Sequence, residues 1–356
     1  MVLLLTCVGG WLAACEDGNR MLATTAQPTH AARPHVQGVT LDARQAPDDS
    51  TLLRLRDLGV THITLTSFGF QPEPGVPEIR HDPDVRWYSE SDRGIRALAR
   101  KADSLGMQVV LKPHIWVRGN SGESGPHAIR FQTEAEWQQW EKHYRAFILH
   151  YARLSEEIGA PLFVIGTELA GSTRTRTDFW RGLIRDVRQV YSGKLTYAAN
   201  WYDEYEHIRF WSELDFIGVQ AYFPISTAEN PTPEALRAGW IPHRRHLLEI
   251  SRRASRPILF TEIGYRSVPG AAAEPWRWPT RDEVGAIHPD DSLQATLYQA
   301  FFESLWQEPA FAGAILWKFY PYRTDRPERW MLDFTPQNKA AEHVIGGWFR
   351  QKSGDR

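Results

Sequence analysis

From Val36 onward, short apolar runs alternate with longer stretches whose apolar positions recur every three or four residues. The runs at 36–41, 60–66, 108–112, 162–166, 194–199, 216–221, 258–261 and 312–316 read as strands buried on both faces. Helical spacing lies between them. Thr51–Leu58 reads as a short amphipathic helix closed by Gly59, and Ile95, Leu98, Ala99, Ala102 and Leu105 share one face closed by Gly106. Trp137, Trp140, Tyr144, Phe147, Ile148, Tyr151, Leu154 and Ile158 make a long stripe, expected in the core. Phe179–Val190, 233–253, Leu293–Leu305 and 338–350 complete the set, with a break expected near Pro242. Ser67–Phe70 reads as a loop, 71–88 as an excursion without period, and 118–132 as a Gly-rich loop. Eight strands alternating with helices imply parallel strands joined by crossovers, and eight such units favour a closed (β/α)8 TIM barrel. An open nucleotide-binding sheet would need a Gly-rich turn after its first strand, which Gly38–Asp42 is not. One catalytic barrel over residues 35–350 is the expectation.

The first residues follow another pattern. Residues 1–15, MVLLLTCVGGWLAAC, are apolar and short for a bilayer span. Leu12-Ala13-Ala14-Cys15 resembles the lipobox of bacterial lipoproteins, although no Lys or Arg precedes the apolar run. The expectation is a lipoprotein-type signal segment (1–15), lipidation of Cys15, and a polar tether over 16–34. That places the protein in the cell envelope or outside it, touching a membrane only through the anchor.

Composition narrows the function. The net charge of −2, with no basic run, argues against a nucleic-acid partner. Both cysteines, Cys7 and Cys15, lie in the leader, so the barrel has no disulfide or thiolate chemistry. No HExxH pattern or paired His near a strand end appears, so neither a catalytic metal nor a cofactor is expected. Fifteen Trp supply core volume and also flat surfaces on which a ligand can stack.

In a barrel the residues just past each strand line one face. Here they are His114 and Trp116, Glu168, Asn200 and Trp201, Tyr222, Glu262, and Trp317. A polar floor with indole walls suits a sugar, whose hydroxyls need polar partners and whose apolar face packs on Trp. PLFVIGTELAG and PILFTEIGY repeat one pattern: Pro, an apolar run, Thr-Glu, then Gly. A lone glutamate after a strand serves as readily in a salt bridge or helix cap. Two in matching contexts point to glycosidic-bond hydrolysis, which needs one protonated and one ionised carboxyl group. Tyr222 is placed to keep the ionised one charged. The residues alone leave open which glutamate plays which part.

GVTLDA, LGVTHITLTSFGFQ, KADSLGMQVVLKPHIWV, FVIGTELAG, LDFIGVQAYFP and FTEIGYRS occur in this order. Together they resemble glycoside hydrolase family 113, known for β-1,4-mannanases, over roughly residues 36–349. The resemblance implies a retaining β-glycoside hydrolase, in which Glu168 is the acid/base, Glu262 the nucleophile and Tyr222 its hydrogen-bond partner. It implies an oligo- or polysaccharide substrate and no cofactor. Thr167 stands where many members of the wider superfamily carry the Asn that holds the sugar 2-hydroxyl, which leaves Asn200 or His114 for that task. The competing expectations are hydrolysis or transglycosylation of another β-linked glycan, and a non-catalytic glycan-binding lipoprotein.

Overall fold

The computed structural model describes residues 36–118, 125–280, 282–321 and 330–351. The expected signal segment, the tether and Cys15 lie outside the described residues. Eight parallel strands close into a barrel: β1 (Val36–Leu41), β2 (His62–Leu65), β5 (Gln108–Leu111), β7 (Leu162–Thr167), β8 (Lys194–Asn200), β9 (Ile217–Gln220), β10 (Ile258–Ile263) and β11 (Phe311–Phe319). Around the circle they run β1-β11-β10-β9-β8-β7-β5-β2, so β8 lies opposite β1.

The apolar runs are continuous because each strand has two buried faces. Val36, Val110, Leu162, Val164, Ala198, Leu259 and Ile315 form a cluster inside the barrel. Phe163, Ile165, Phe260 and Leu316 belong to the larger cluster that the helices cover. Helices α1 (Asp49–Leu58), α2 (Asp92–Ser104), α3 (Glu134–Glu157), α4 (Ala170–Thr175), α5 (Thr177–Val190), α6 (Pro233–Ala254), α7 (Asp291–Leu305) and α8 (Ala340–Phe349) make up the outer layer among the described residues. Their starts follow the sequence. Asp48, Ser91, Thr232 and Asp290 each accept a backbone N–H from the first turn, and Thr133 and Glu136 form a reciprocal capping box ahead of α3.

Two local expectations change. The segment read as a loop at Ser67–Phe70 contains β3 (Phe68–Gln71), which pairs in parallel with β6 (His114–Val117) and antiparallel with β4 (Arg80–His81). Barrel strands β2 and β5 therefore continue, after short interruptions at Thr66-Ser67 and Lys112-Pro113, into a small wall beside the mouth. Phe68, Phe70, His114 and Trp116 stand on that wall. The second change is at Pro242, which lies inside an uninterrupted α6. Trp240 and Leu247, on either side of it, are fully buried, and that packing outweighs the missing N–H.

Candidate active site

The two glutamates reach the mouth from β7 and β10, and the two approaches are alike. The register of β7 against β8 slips between Val164 and Thr167, and that of β10 against β9 slips between Phe260 and Glu262. The first irregularity ends at the Thr before Glu168 and the second spans Thr261-Glu262, each just where a bulge re-aims a side chain. Gly166 is required by crowding: a β-carbon there would sit 2.6 Å from the Tyr144 hydroxyl and 2.8 Å from the rings of Trp180 and Tyr197. Glu168 itself adopts a left-handed backbone, with φ of 56°. Hydrogen bonds on both sides hold it there. Its N–H donates to Ala198 O at 2.9 Å, and the next N–H, of Leu169, donates to the Tyr197 hydroxyl at 2.6 Å. Tyr197 in turn donates to the buried Glu204 at 2.6 Å. Backbone strain held by its surroundings is characteristic of functional positions.

The electrostatic settings of the two carboxyl groups are opposed. Glu262 is 5% exposed and bears a donor on each oxygen. Lys112 Nζ bonds Oε1, and the Tyr222 hydroxyl donates to Oε2 at 2.8 Å. Burial alone would raise its pKa, but the Lys112 charge and the Lys112 hydrogen bond hold it below the ordinary carboxylate value. Glu168 has no cation bonded to it among the described residues. Burial, then the negative charge of Glu262, then that of Glu204 push its pKa up to about 8. The Gln220 amide, whose Oε1 accepts from Thr261 Oγ1 at 3.1 Å, favours the ionised form of both carboxyl groups. One carboxyl group is thus kept protonated and its neighbour ionised, the division of labour that glycosidic cleavage needs.

The other expected residues fall into two groups. Tyr222, His114 and Trp317 surround the Glu262 end. His114 is pushed down to about 3, by burial first and the Lys112 charge second, and its Nε2 has no partner among the described residues. Trp317 offers its ring to Lys112, 5.4 Å from the centroid. Trp116 is 61% exposed on the wall and lines a cavity of about 1060 Å³ above β11, β1 and β2. Trp317 and Trp278 line the same cavity. On the opposite side, Asn200 ends β8 with its N–H on Glu204 at 2.8 Å. Trp201 stacks on Trp276, with centroids 4.9 Å apart. Trp116 thus lines the cavity with Trp317, and Trp201 packs on Trp276 at the end of β8.

The family model for glycoside hydrolase family 113 matches residues 38–330, most of the chain and all eight barrel strands after the start of β1. The chain belongs to glycoside hydrolase family 113. The protein is a retaining glycoside hydrolase with that family's (β/α)8 barrel. Among solved structures, a family 113 β-mannanase from Alicyclobacillus acidocaldarius, in complex with ManMIm, superposes with a TM-score of 0.74 at 27% identity. That match covers 88% of this chain and 97% of the other. A second family 113 structure, a β-1,4-mannanase complex, has a TM-score of 0.75 at 24% identity, covering 89% and 99% of the two chains. A Faecalibacterium prausnitzii β-glucuronidase shares the fold at a TM-score of 0.58 and 13% identity, covering 88% of this chain and 48% of that one. Comparison with curated proteins found no match.

Several groups of this family 113 site escaped the sequence reading. Lys112 closes the apolar run at 108–112, where the sequence assigns it no role, yet it is fully buried beside Glu262. Gln220 lies within LDFIGVQAYFP without an assigned part, and Glu204 lies in none of the quoted motifs. The cavity holds a pair invisible in sequence, Lys318 Nζ to Asp42 Oδ2 at 2.5 Å, joining residues 276 apart. Beside it, burial and the nearby Asp42 charge push Glu90 up to about 7. Among the described residues no group of His, Cys, Asp and Glu is arranged to hold a metal ion.

Proposed function

We propose that the protein is an endo-acting β-1,4-mannanase that works by double displacement, with Glu168 as acid/base and Glu262 as nucleophile. The observation that carries the reading is the contrast between the two carboxyl groups: Glu262 sits between a cation and a phenol, whereas Glu168 is held protonated to about pH 8. Glu262 attacks the anomeric carbon while Glu168 protonates the departing oxygen. Glu168 then takes a proton from water as that water releases the sugar from Glu262. The family 113 β-mannanases among similar structures support mannan as the substrate.

The mouth also supports a direction for the chain. The leaving sugar lies beside the acid. Tyr202, 45% exposed next to Trp201, feels the Glu168 charge, so the Trp201–Tyr202–Trp276 shelf adjoins the acid. The cavity containing Trp317 lies across the mouth, on the far side of Lys112 and Glu262. The retained glycone occupies the cavity and the leaving portion lies on the shelf. Open ground on both arms fits internal cleavage of a polymer. At the amino terminus, lipidation of Cys15 would tether the enzyme to the envelope, and a Cys15→Ala protein should lose labelled palmitate if so.

Digestion of β-1,4-mannan, cellulose and xylan with product analysis tests the reading. Short manno-oligosaccharides of mixed length, lost in Glu262→Ala, are expected from mannan alone. Release from cellulose or xylan in preference to mannan overturns the substrate assignment, and full activity of Glu262→Ala overturns the mechanism.

A further inference from the structure

The double displacement leaves one buried charge without a task. Lys112 has no solvent exposure and reaches the site from β5, across the barrel from the β10 glutamate. Its ammonium bonds Glu262 Oε1, donates to Thr261 O at 3.1 Å, and faces the Trp317 ring. A carbonyl acceptor favours the ammonium form of the lysine, and the Tyr222 donor favours the carboxylate form of its partner. Burial lowers the Lys112 pKa, the Glu262 charge and bond oppose that, and the geometry favours an ion pair.

We propose that Lys112 is a positioning residue that offsets the single negative charge shared by the two catalytic glutamates through both chemical steps, pairing with Glu262 in the free enzyme and with Glu168 in the glycosyl-enzyme. The proposal rests on the roles given above to the two glutamates. In the free enzyme the charges are +1 on Lys112, −1 on Glu262 and zero on protonated Glu168. In the first step a Glu262 oxygen bonds the anomeric carbon and the bond to the leaving oxygen breaks. That oxygen takes the Glu168 proton. Glu262 is now a neutral ester, Glu168 carries −1, and Lys112 still carries +1. In the second step water bonds the anomeric carbon and gives its proton to Glu168, and the ester electrons return to Glu262. The sum stays at zero throughout, whereas without the ammonium it would stay at −1 in a buried site, a costly arrangement.

The same geometry turns Glu168 from acid to base. In the free enzyme the Glu262 charge and burial raise Glu168 while Lys112 lowers it. Esterification removes the first of these charges and leaves Lys112 acting alone against burial and Glu204. The other groups facing Lys112 do not change the count. His114, from β6, stays neutral above about pH 3, and Tyr222, after β9, is held far above its ordinary value. Glu204 stays fixed among its donors Tyr197, Thr173 and the Asn200 N–H while the bonds change.

Rapid-mixing kinetics of Lys112→Met with 2,4-dinitrophenyl β-mannobioside separates this role from simple support, because that leaving group needs no proton. The expected result is a burst of dinitrophenolate followed by turnover slowed roughly 100-fold more than the burst, the scale of a lost general base. A mannobiosyl adduct on the protein should accumulate. Added azide, which attacks without a base, should restore turnover, and Lys112→Arg should keep the wild-type pH profile. Equal slowing of both phases, with no adduct and no azide effect, overturns the proposal. If Lys112→Met does not fold, wild-type enzyme gives the answer alone. Its deglycosylation step should lose rate only below about pH 4.3, the unperturbed glutamate value, because a buried carboxylate without a cation would titrate above it. A limb well above that value overturns the proposal. A wild-type enzyme that releases dinitrophenolate independently of Glu262 instead removes the assignment on which the proposal stands.

Discussion

At the residue scale, the account depends on two identical side chains made unlike by what touches them. Both are glutamates after a Thr at the barrel mouth, and desolvation alone would raise both. Lys112 reverses the sign at Glu262, while nearby carboxylates reinforce it at Glu168. The pH consequence follows directly. Glu168 must carry its proton to act, so kcat/KM should fall as pH rises through about 8, well above where an ordinary carboxyl group would lose it. Glu262 must be ionised, so the acid limb should lie below the ordinary glutamate value. A kcat/KM profile from pH 3 to 10 checks both limbs, and an activity already declining above pH 5 would contradict the assignment. The paired glutamates and Tyr222 were legible because each follows an apolar run. Lys112 was not, because its meaning comes from a partner 150 residues away.

At the element scale, the barrel strands were readable for a simple reason: with both faces buried, they appear as unbroken apolar runs. The β3–β6 wall was not. Ser67 and Pro113 interrupt the runs, so the continuation of β2 and β5 past the mouth looks like loop. Pro242 misled in the other direction, since local propensity lost to the burial of Trp240 and Leu247. The register slips in β7 and β10 also have no sequence mark beyond the Thr-Glu repeat, yet they aim the acids. Gly166 belongs to this scale. A methyl group there meets Tyr144, Trp180 and Tyr197, so Gly166→Ala should cost about 1–3 kcal/mol in denaturant unfolding through overpacking. Because the displaced strand carries Glu168, kcat should fall as well. Unchanged stability and kcat would show that the aromatic cluster yields freely and does not fix the acid.

At the scale of the whole molecule, the mouth is a groove with unequal arms set across one diameter of the barrel. The cavity arm lies over β11, β1 and β2, and the aromatic shelf lies over β8. Trp276 spends one face on Trp201 and remains 42% exposed, which leaves its other face open to a sugar. Trp276→Ala should raise KM for mannan about tenfold, the loss of about 1.4 kcal/mol of stacking. Hydrolysis of an aryl mannobioside, which leaves nothing on the shelf beyond one ring, should stay near wild type. Parallel kinetics on the two substrates decide the point, and equal effects on both would remove the shelf from the leaving side. The division into arms could not be read from sequence, because the residues of each arm come from distant loops and only closure of the barrel sorts them.

The central claim is that Glu262 bonds the sugar while Glu168 handles the proton. Incubation with a 2-deoxy-2-fluoro-β-mannosyl fluoride, followed by protease digestion and mass analysis, tests it most directly. The account predicts one adduct, on the peptide bearing Glu262; an adduct on Glu168, or on any other residue, would contradict it.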